Sequence, residues 1–255
     1  MSVVVTGGSG FIGHHLMRHL KSEGFRVINI DIRDVMCPLD VRKPRKLHRI
    51  FNKEKPEIVF HLAALASVPG CERYPRRAFE TNVLGTYYIA RLSKMVGAKI
   101  IFTSSASVYG IPKILPTPED APLNPINYYA LTKLAGEYLI RLTNLDYVIF
   151  RLFNVYGPGC DKSYVIPDTI RKLKYYKRKV IPMLGTGEEA RDFVYIDDVL
   201  DIFMRAVKKD TVGVYNVGSG EVIKIRDLAY LIAKLMGRED VTFKFQRKHR
   251  VGEFM

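Results

Sequence analysis

Tyr129 and Lys133 stand four residues apart, so on a helix they share one face and bring a phenol within reach of an ammonium. Such a pair can make a base. A tyrosine titrates near ~10, and half-ionising it at neutral pH takes roughly 3 pH units, or about 4 kcal/mol. One ammonium at ~5 Å, in surroundings of effective dielectric ~20, supplies about 3 kcal/mol before desolvation is subtracted. A second positive charge would complete the shift. The same spacing recurs in Tyr109/Lys113, Tyr175/Lys179 and Tyr230/Lys234, and by itself it describes a solvated helix face as well as it describes a base.

A second cluster could hold an anion. The stretch Thr6-Gly7-Gly8-Ser9-Gly10-Phe11-Ile12-Gly13 follows an apolar, strand-like run and precedes a helical pattern. Glycines at Gly7, Gly10 and Gly13 permit a tight turn, close backbone approach to a pyrophosphate and close helix packing, while the helix N-terminus offers free N–H groups. Asp31 closes the next strand, where a carboxylate takes the adenosine ribose hydroxyls and repels a 2′-phosphate. NAD is thus favoured over NADP, and Arg33 keeps the phosphorylated cofactor open as the alternative. Asp40 and Val41 read either as a border of the adenine pocket or as a surface loop.

Positioning these groups falls to alternating strands and helices. Strands are expected over residues 3–6, 26–31, 58–61, 99–104 and 147–152, and helices over 10–23, 43–53, 76–96 and 127–142, with Pro44 opening the second helix. That order predicts an α/β fold with a doubly wound parallel sheet. From about Asn154 the regularity weakens and a smaller lobe is expected to begin.

Composition narrows the functional classes. The chain has 255 residues, enough for one large domain or one with a small lobe. Cys37, Cys71 and Cys160 are widely spaced and form no metal pattern, so no metal is expected. No apolar run reaches membrane-spanning length, and the chain enters Val3-Val4-Val5 directly, without a signal peptide. A reducing cytoplasm fits. The net charge of +14 is that of a lysine- and arginine-rich surface and would also suit nucleic acid, an anionic membrane or a phosphorylated substrate; the basic runs at 42–49, 171–179 and 247–250 come with no nucleic-acid motif, and neither nucleic acid nor membrane is expected as a partner.

Eight stretches, the glycine turn and the Tyr129/Lys133 pair among them, resemble in order the extended short-chain dehydrogenase/reductase family in its nucleotide-sugar branch, that of the UDP-galactose/UDP-glucose 4-epimerases. They are the glycine turn, His61-Leu-Ala-Ala64, Asn82-Val-Leu-Gly-Thr86, Thr103 to Gly110, Tyr129 to Lys133, Arg151-Leu-Phe-Asn-Val-Tyr-Gly-Pro158, Arg191-Asp-Phe-Val-Tyr195 and Tyr215-Asn-Val-Gly-Ser-Gly220. The resemblance covers nearly the whole chain. It implies a Rossmann domain over residues 1–153, and over 154–255 mainly a substrate lobe with segments returning to the first domain.

The resemblance also singles out Tyr129, which stands 24 residues after Ser105, as the family's base, with Lys133 beside it and Ser105 bonding the sugar oxygen that is oxidised. It places the cofactor, NAD, along Gly7, Gly10, Phe11, Ile12, Gly13, Asp31, Asp40, Val41, Leu62, Ala63, Ala64, Ser67, Asn82, Ser104 and Phe153, and near Tyr129 and Lys133. Ser105, Tyr129, Asn154, Arg191 and Arg250 would hold the UDP-sugar. The family commonly dimerises through the helices expected at 76–96 and 127–142, so a homodimer is implied.

Related sugar 4,6-dehydratases carry an Asp-Glu pair directly after the Ser/Thr, and decarboxylases a Glu; here Ala106 and Ser107 stand there. The resemblance therefore implies C4 epimerisation of a UDP-hexose, by transient oxidation to a 4-keto sugar and hydride return to the opposite face. The alternatives are another NAD-dependent nucleotide-sugar enzyme (reductase, dehydrogenase or dehydratase) or a non-catalytic dinucleotide-binding regulator. Family members run some tens of residues beyond the segment matching Arg250-Val-Gly-Glu253, so the lobe is expected to be incomplete at its C-terminal side.

Overall fold

In the computed structural model, which describes residues 1–208 and 211–246, Val3, Val4 and Val5 are all fully buried. Only a strand covered on both faces allows that. This strand, β1 (Ser2–Thr6), leads through α1 (Phe11–Ser22) to β2 (Arg26–Ile30) and through α2 (Pro44–Glu54) to β3 (Ile58–His61). Then come α3 (Val68–Arg73), α4 (Pro75–Ala78) and, after a π-helical turn at Phe79–Leu84, α5 (Gly85–Val96). β4 (Lys99–Ser105), a 3-10 turn at Ala106–Tyr109, α6 (Tyr128–Arg141) and β5 (Tyr147–Leu152) complete the first half. The second half comprises β6 (Asn154–Tyr156), α7 (Val165–Tyr175), β7 (Val180–Met183), β8 (Ala190–Tyr195), α8 (Ile196–Lys208), β9 (Gly213–Val217), β10 (Val222–Lys224), α9 (Ile225–Leu235) and β11 (Thr242–Phe245).

Six strands form one sheet in the order β2-β1-β3-β4-β5-β9, every neighbouring pair parallel. Strand alternation sends Val3, Val5, Phe60, Ile101 and Phe150 to one face, under Leu16 and Leu20 of α1 and Phe203 of α8. Val4, Val59, Ile100, Phe102 and Ile149 go to the other, under Leu47 and Phe51 of α2, Ile89 of α5 and Ile140 of α6. Leu16/Leu20 and Leu47/Phe51 are i,i+4 pairs, the spacing that gives each helix one apolar stripe. Phe203 stacks on Phe150 at 5.3 Å, so α8 and β9 rejoin the large sheet. The remaining elements form a lobe, with a three-stranded sheet β10-β8-β6, a pair β11-β7, and a core of Leu173, Ile181, Leu228, Ile232 and Phe243.

The helix expected over 76–96 is longer and interrupted. Pro75 cannot donate an N–H to extend α3, so a new helix begins there. The π turn carries Asn82, whose buried side chain bonds the Leu65 backbone and Thr132 instead of facing solvent. Strand order reverses between β1 and β3, and the C-terminal ends of β1, β3, β4 and β5 lie along one sheet edge, where a crevice opens.

Candidate active site

The turn after β1 is shaped by atoms that a side chain would hit. Gly7 has φ +76°, and a Cβ there would lie 2.7 Å from the Ala63 amide nitrogen; one at Gly13 would lie 2.1 Å from the Gly7 carbonyl oxygen. Only hydrogen fits at both positions, so β1 and β3 approach closely and α1 starts hard against the turn. Gly10, the N-cap of α1, brings no side-chain hydrogen bond to the first-turn N–H groups of Phe11, Ile12 and Gly13. Those donors and the positive end of the helix dipole fit the diphosphate of a dinucleotide.

Asp31 accepts the Ser9 N–H at 3.0 Å and the Arg33 N–H at 2.7 Å, which fixes its carboxylate beside the turn. The Arg33 guanidinium lies 3.8 Å from that carboxylate, an arrangement that suits ribose hydroxyls better than a 2′-phosphate. Beyond Asp31 a cleft of about 260 Å³ is lined by Ile32, Pro38, Leu39, Asp40, Lys43 and Lys46. Hydrogen bonds from Arg42 hold the Asp40 carboxyl below its ordinary range, against the cost of burial. Val41 is a core residue, 4% exposed and packed against Gly85, so its side chain is not part of the cleft wall.

Ile12 and Leu62 likewise pack their side chains on one core, and Ala63 on the other; at the crevice these three offer backbone. Ala64 and Phe153 are half-buried and Phe11 sets its ring edge-on to His15. Ser67 is exposed and caps α3, accepting the Gly70 N–H at 3.2 Å.

Ser105 ends β4, and Tyr129 and Lys133 occupy the first turns of α6, whose N-cap Asn127 accepts the Ala130 N–H at 2.8 Å. The Lys133 ammonium is buried, donates to the Thr103 carbonyl at 2.6 Å and sits 6.0 Å from the Tyr129 ring centre. Burial brings Lys133 down to about 8. Burial also pushes the Tyr129 phenol up, with the neighbouring Tyr164 phenol adding to it and a hydrogen bond with Ser105 opposing it. In the protein alone Tyr129 is therefore a phenol at neutral pH. The charge estimate from spacing left out desolvation, and desolvation is the larger effect.

The other three tyrosines differ. Tyr109 is buried and bonded to Arg151 at 2.8 Å, while Tyr175 and Tyr230 are exposed on α7 and α9. The Ser104 hydroxyl donates to Glu137 at 2.5 Å, so toward a neighbouring group it offers its lone pairs and its backbone.

Several supporting residues escaped the sequence reading. Arg151, 1% exposed in β5, bonds Glu137 of α6 through two nitrogens at 3.0 and 2.8 Å. A lone arginine inside the apolar run Tyr147–Leu152, with a glutamate one helical turn after Lys133, was the available signal. Asp192 is another such residue. Its carboxylate accepts the Ser219 and Gly220 N–H groups at 2.8 and 3.0 Å, and its carbonyl accepts the side chain of Asn154 at 2.9 Å. Asn154 of β6 pairs in register with Phe193 of β8, two residues beyond Arg191, whose guanidinium bonds the Ala190 carbonyl at 2.8 Å. Arg250 lies outside the described residues.

His61, fully buried at the end of β3, is held at about 3 by burial and by the ammonium of Lys133. Between its ordinary 6.5 and that value the unfolded chain binds a proton that the folded chain does not, so stability falls on acidification across this window. Urea titrations should show this slope in the wild type and its loss in His61→Gln; equal slopes would refute it.

A sequence model of the NAD dependent epimerase/dehydratase family matches residues 3–218. The chain belongs to this family. Among curated family relatives, UDP-glucose 4-epimerase of Mycolicibacterium smegmatis is 33% identical over 94% of this chain and 84% of its own length. GDP-6-deoxy-D-mannose reductase of Pseudomonas aeruginosa is also 33% identical, over 91% of this chain and 79% of its own length. Of solved structures, UDP-glucose 4-epimerase of Thermotoga maritima with UDP-glucose is 34% identical, with a TM-score of 0.87 over 98% of this chain and 88% of that one. The family's cofactor is NAD, and the glycine turn, Asp31 and the uncapped α1 are residues able to hold it. Among the described residues no helix is long and apolar enough to cross a membrane.

Proposed function

We propose that the protein epimerises a UDP-hexose at C4, of the UDP-glucose/UDP-galactose type or its N-acetyl or uronate counterparts. The observation that carries this reading is the meeting of Ser105, Tyr129 and Lys133 at the end of β4, with Ala106 and Ser107 following in place of carboxyl groups. Bound NAD would take up the hydride and return it. Tyr129 removes the proton from the C4 hydroxyl, Ser105 donates a hydrogen bond to the same oxygen, and the Lys133 ammonium offsets the developing phenolate. The missing carboxyl acid argues against dehydration and decarboxylation, which need a further proton transfer on the ring. Asn154, Arg191 and Arg250 are assigned to the sugar nucleotide, the arginines to its diphosphate. In this reading residues 1–153 hold the cofactor and 154–255 mainly the substrate.

Incubating the purified protein with UDP-galactose should yield UDP-glucose with no net change in NADH absorbance. Failure to convert any UDP-hexose would overturn the proposal, and stoichiometric NADH turnover would favour the reductase reading that the Pseudomonas aeruginosa relative supports.

We also propose a homodimer. Tyr87 and Met95 of α5, Leu131 and Tyr138 of α6, and Leu142 at the C-cap of α6 are exposed apolar residues at helical spacing on two packed helices. Native mass spectrometry should give twice the 29.1 kDa chain mass; a monomer at micromolar concentration would exclude it.

A further inference from the structure

Between the dinucleotide turn and the helix of Tyr129 runs a buried chain of hydrogen bonds whose direction is fixed by its own members. Thr132 donates to the Tyr129 carbonyl at 2.8 Å and accepts the Asn82 amide at 3.0 Å. The Thr86 hydroxyl donates its one proton to the Asn82 carbonyl at 2.5 Å. Toward the His61 Nε2, 2.8 Å away, Thr86 can then only accept. Nε2 therefore carries the imidazole proton, and Nδ1 accepts from the Thr6 hydroxyl at 2.7 Å. The Thr6 oxygen in turn accepts the Ala63 N–H at 3.1 Å. Both nitrogens of His61 are satisfied, both with side chains, and the donors all point from Thr6 toward Asn82.

We infer that His61, as its Nε2–H tautomer, is a positioning residue that ties the strand entering the glycine turn to the helix bearing Tyr129. Thr6 is the last residue before Gly7, and Ala63 is the residue whose amide Gly7 approaches most closely, so the two sides of the cofactor crevice meet at one hydroxyl. Asn82 closes the other end: it holds both backbone groups of Leu65, at 2.7 and 3.1 Å, as well as Thr132. The run Thr6–His61–Thr86 is polarised as far as the Asn82 backbone carbonyl, and the Asn82 side chain, with its own bonds to Leu65 and Thr132, carries the link on to α6 through the rigid turn. Breaking it at either end should loosen the crevice as a whole. This inference rests on NAD as the cofactor and needs no sugar substrate, so it survives or fails independently of the epimerase proposal.

The test is calorimetric titration of NAD into protein freed of nucleotide. His61→Phe keeps a ring of similar bulk but neither partner, and should weaken NAD binding about 10-fold or more, with His61→Gln restoring most of it. Val59→Ala, a cavity on the same strand, should lower Tm without this loss. Thr132→Val, at the far end, should weaken NAD about 5-fold alone and add little in the His61→Phe background. Should His61→Phe fail to fold, Thr86→Val takes its place in the cycle. Unchanged NAD affinity in Thr132→Val, or strictly additive losses, would overturn the inference; a Tm change with normal affinity would reduce His61 to a structural role.

Discussion

Tyr129→Phe is expected to lower UDP-galactose turnover by ~10³-fold or more, because general acid–base catalysis by a positioned side chain is worth about 10²–10⁴ and no other described phenol bonds Ser105. NAD affinity should stay within ~3-fold, since the lost atom is the oxygen proposed to act on the sugar. The second readout matters. The phenol is held up by burial in the protein alone, so in the proposed reaction its ionisation would draw on the positive charges of Lys133 and, with NAD bound, of the oxidised nicotinamide. Turnover should therefore rise with pH in the wild type while the NAD-bound form is saturated, and a residual Tyr129→Phe rate should lack that rise. Retention of wild-type turnover in Tyr129→Phe would remove the residue from its proposed role and, with it, the reading of Lys133 and Ser105.

Arg151→Ala should destabilise the fold by about 3–5 kcal/mol, against a typical total of about 5–15. Arg151 and Glu137 are each 1% exposed. Burial works against the Arg151 charge, yet the hydrogen bonds with Glu137 and Tyr109 hold its guanidinium above the ordinary range. Removing the arginine leaves the buried Glu137 carboxylate with only the Ser104 hydroxyl and, at 3.8 Å, Arg141, and also releases Tyr109 and the Glu119 carbonyl, which Arg151 bonds at 2.8 and 2.7 Å. Those two anchor the excursion between Ser105 and Tyr129, so the loss is structural first and catalytic second. The double variant Arg151→Met/Glu137→Leu should recover much of the stability, because no buried charge is left unpaired. Urea unfolding measures both. A loss under about 1 kcal/mol in Arg151→Ala would show the pair to be dispensable.

How much of this was legible in the residues varies with the physics involved. The strands at residues 58–61 and 147–152 coincide with the runs read from apolarity, because a parallel strand covered on both faces reads as a short, mostly apolar run even where a buried His61 or Arg151 interrupts it. The π turn at Phe79–Leu84 left no such trace. Its cause is the inward swing of Asn82 onto Leu65 and Thr132, a tertiary contact. Ser105, Tyr129 and Lys133 could be named from motif and spacing, and they do converge. Their electrostatics could not, since burial decides the sign at Tyr129 and spacing says nothing about burial. Val41 and Ser104 make the same point in reverse. Each sits in a stretch matched to a cofactor site, yet one side chain faces the core and the other faces Glu137.

The glycines divide into those a second mutation could rescue and those it could not. A methyl at Gly136 of α6 would meet the Phe102 ring at 2.8 Å, and a smaller residue at Phe102 would make room. A methyl at Gly13 would meet the Gly7 carbonyl, and one at Gly7 the Ala63 backbone; no exchange of side chains elsewhere moves those atoms. Suppressor genetics can therefore reach the packing of α6 on the sheet but not the turn after β1, where the backbone itself is the obstacle and glycine is the sole solution.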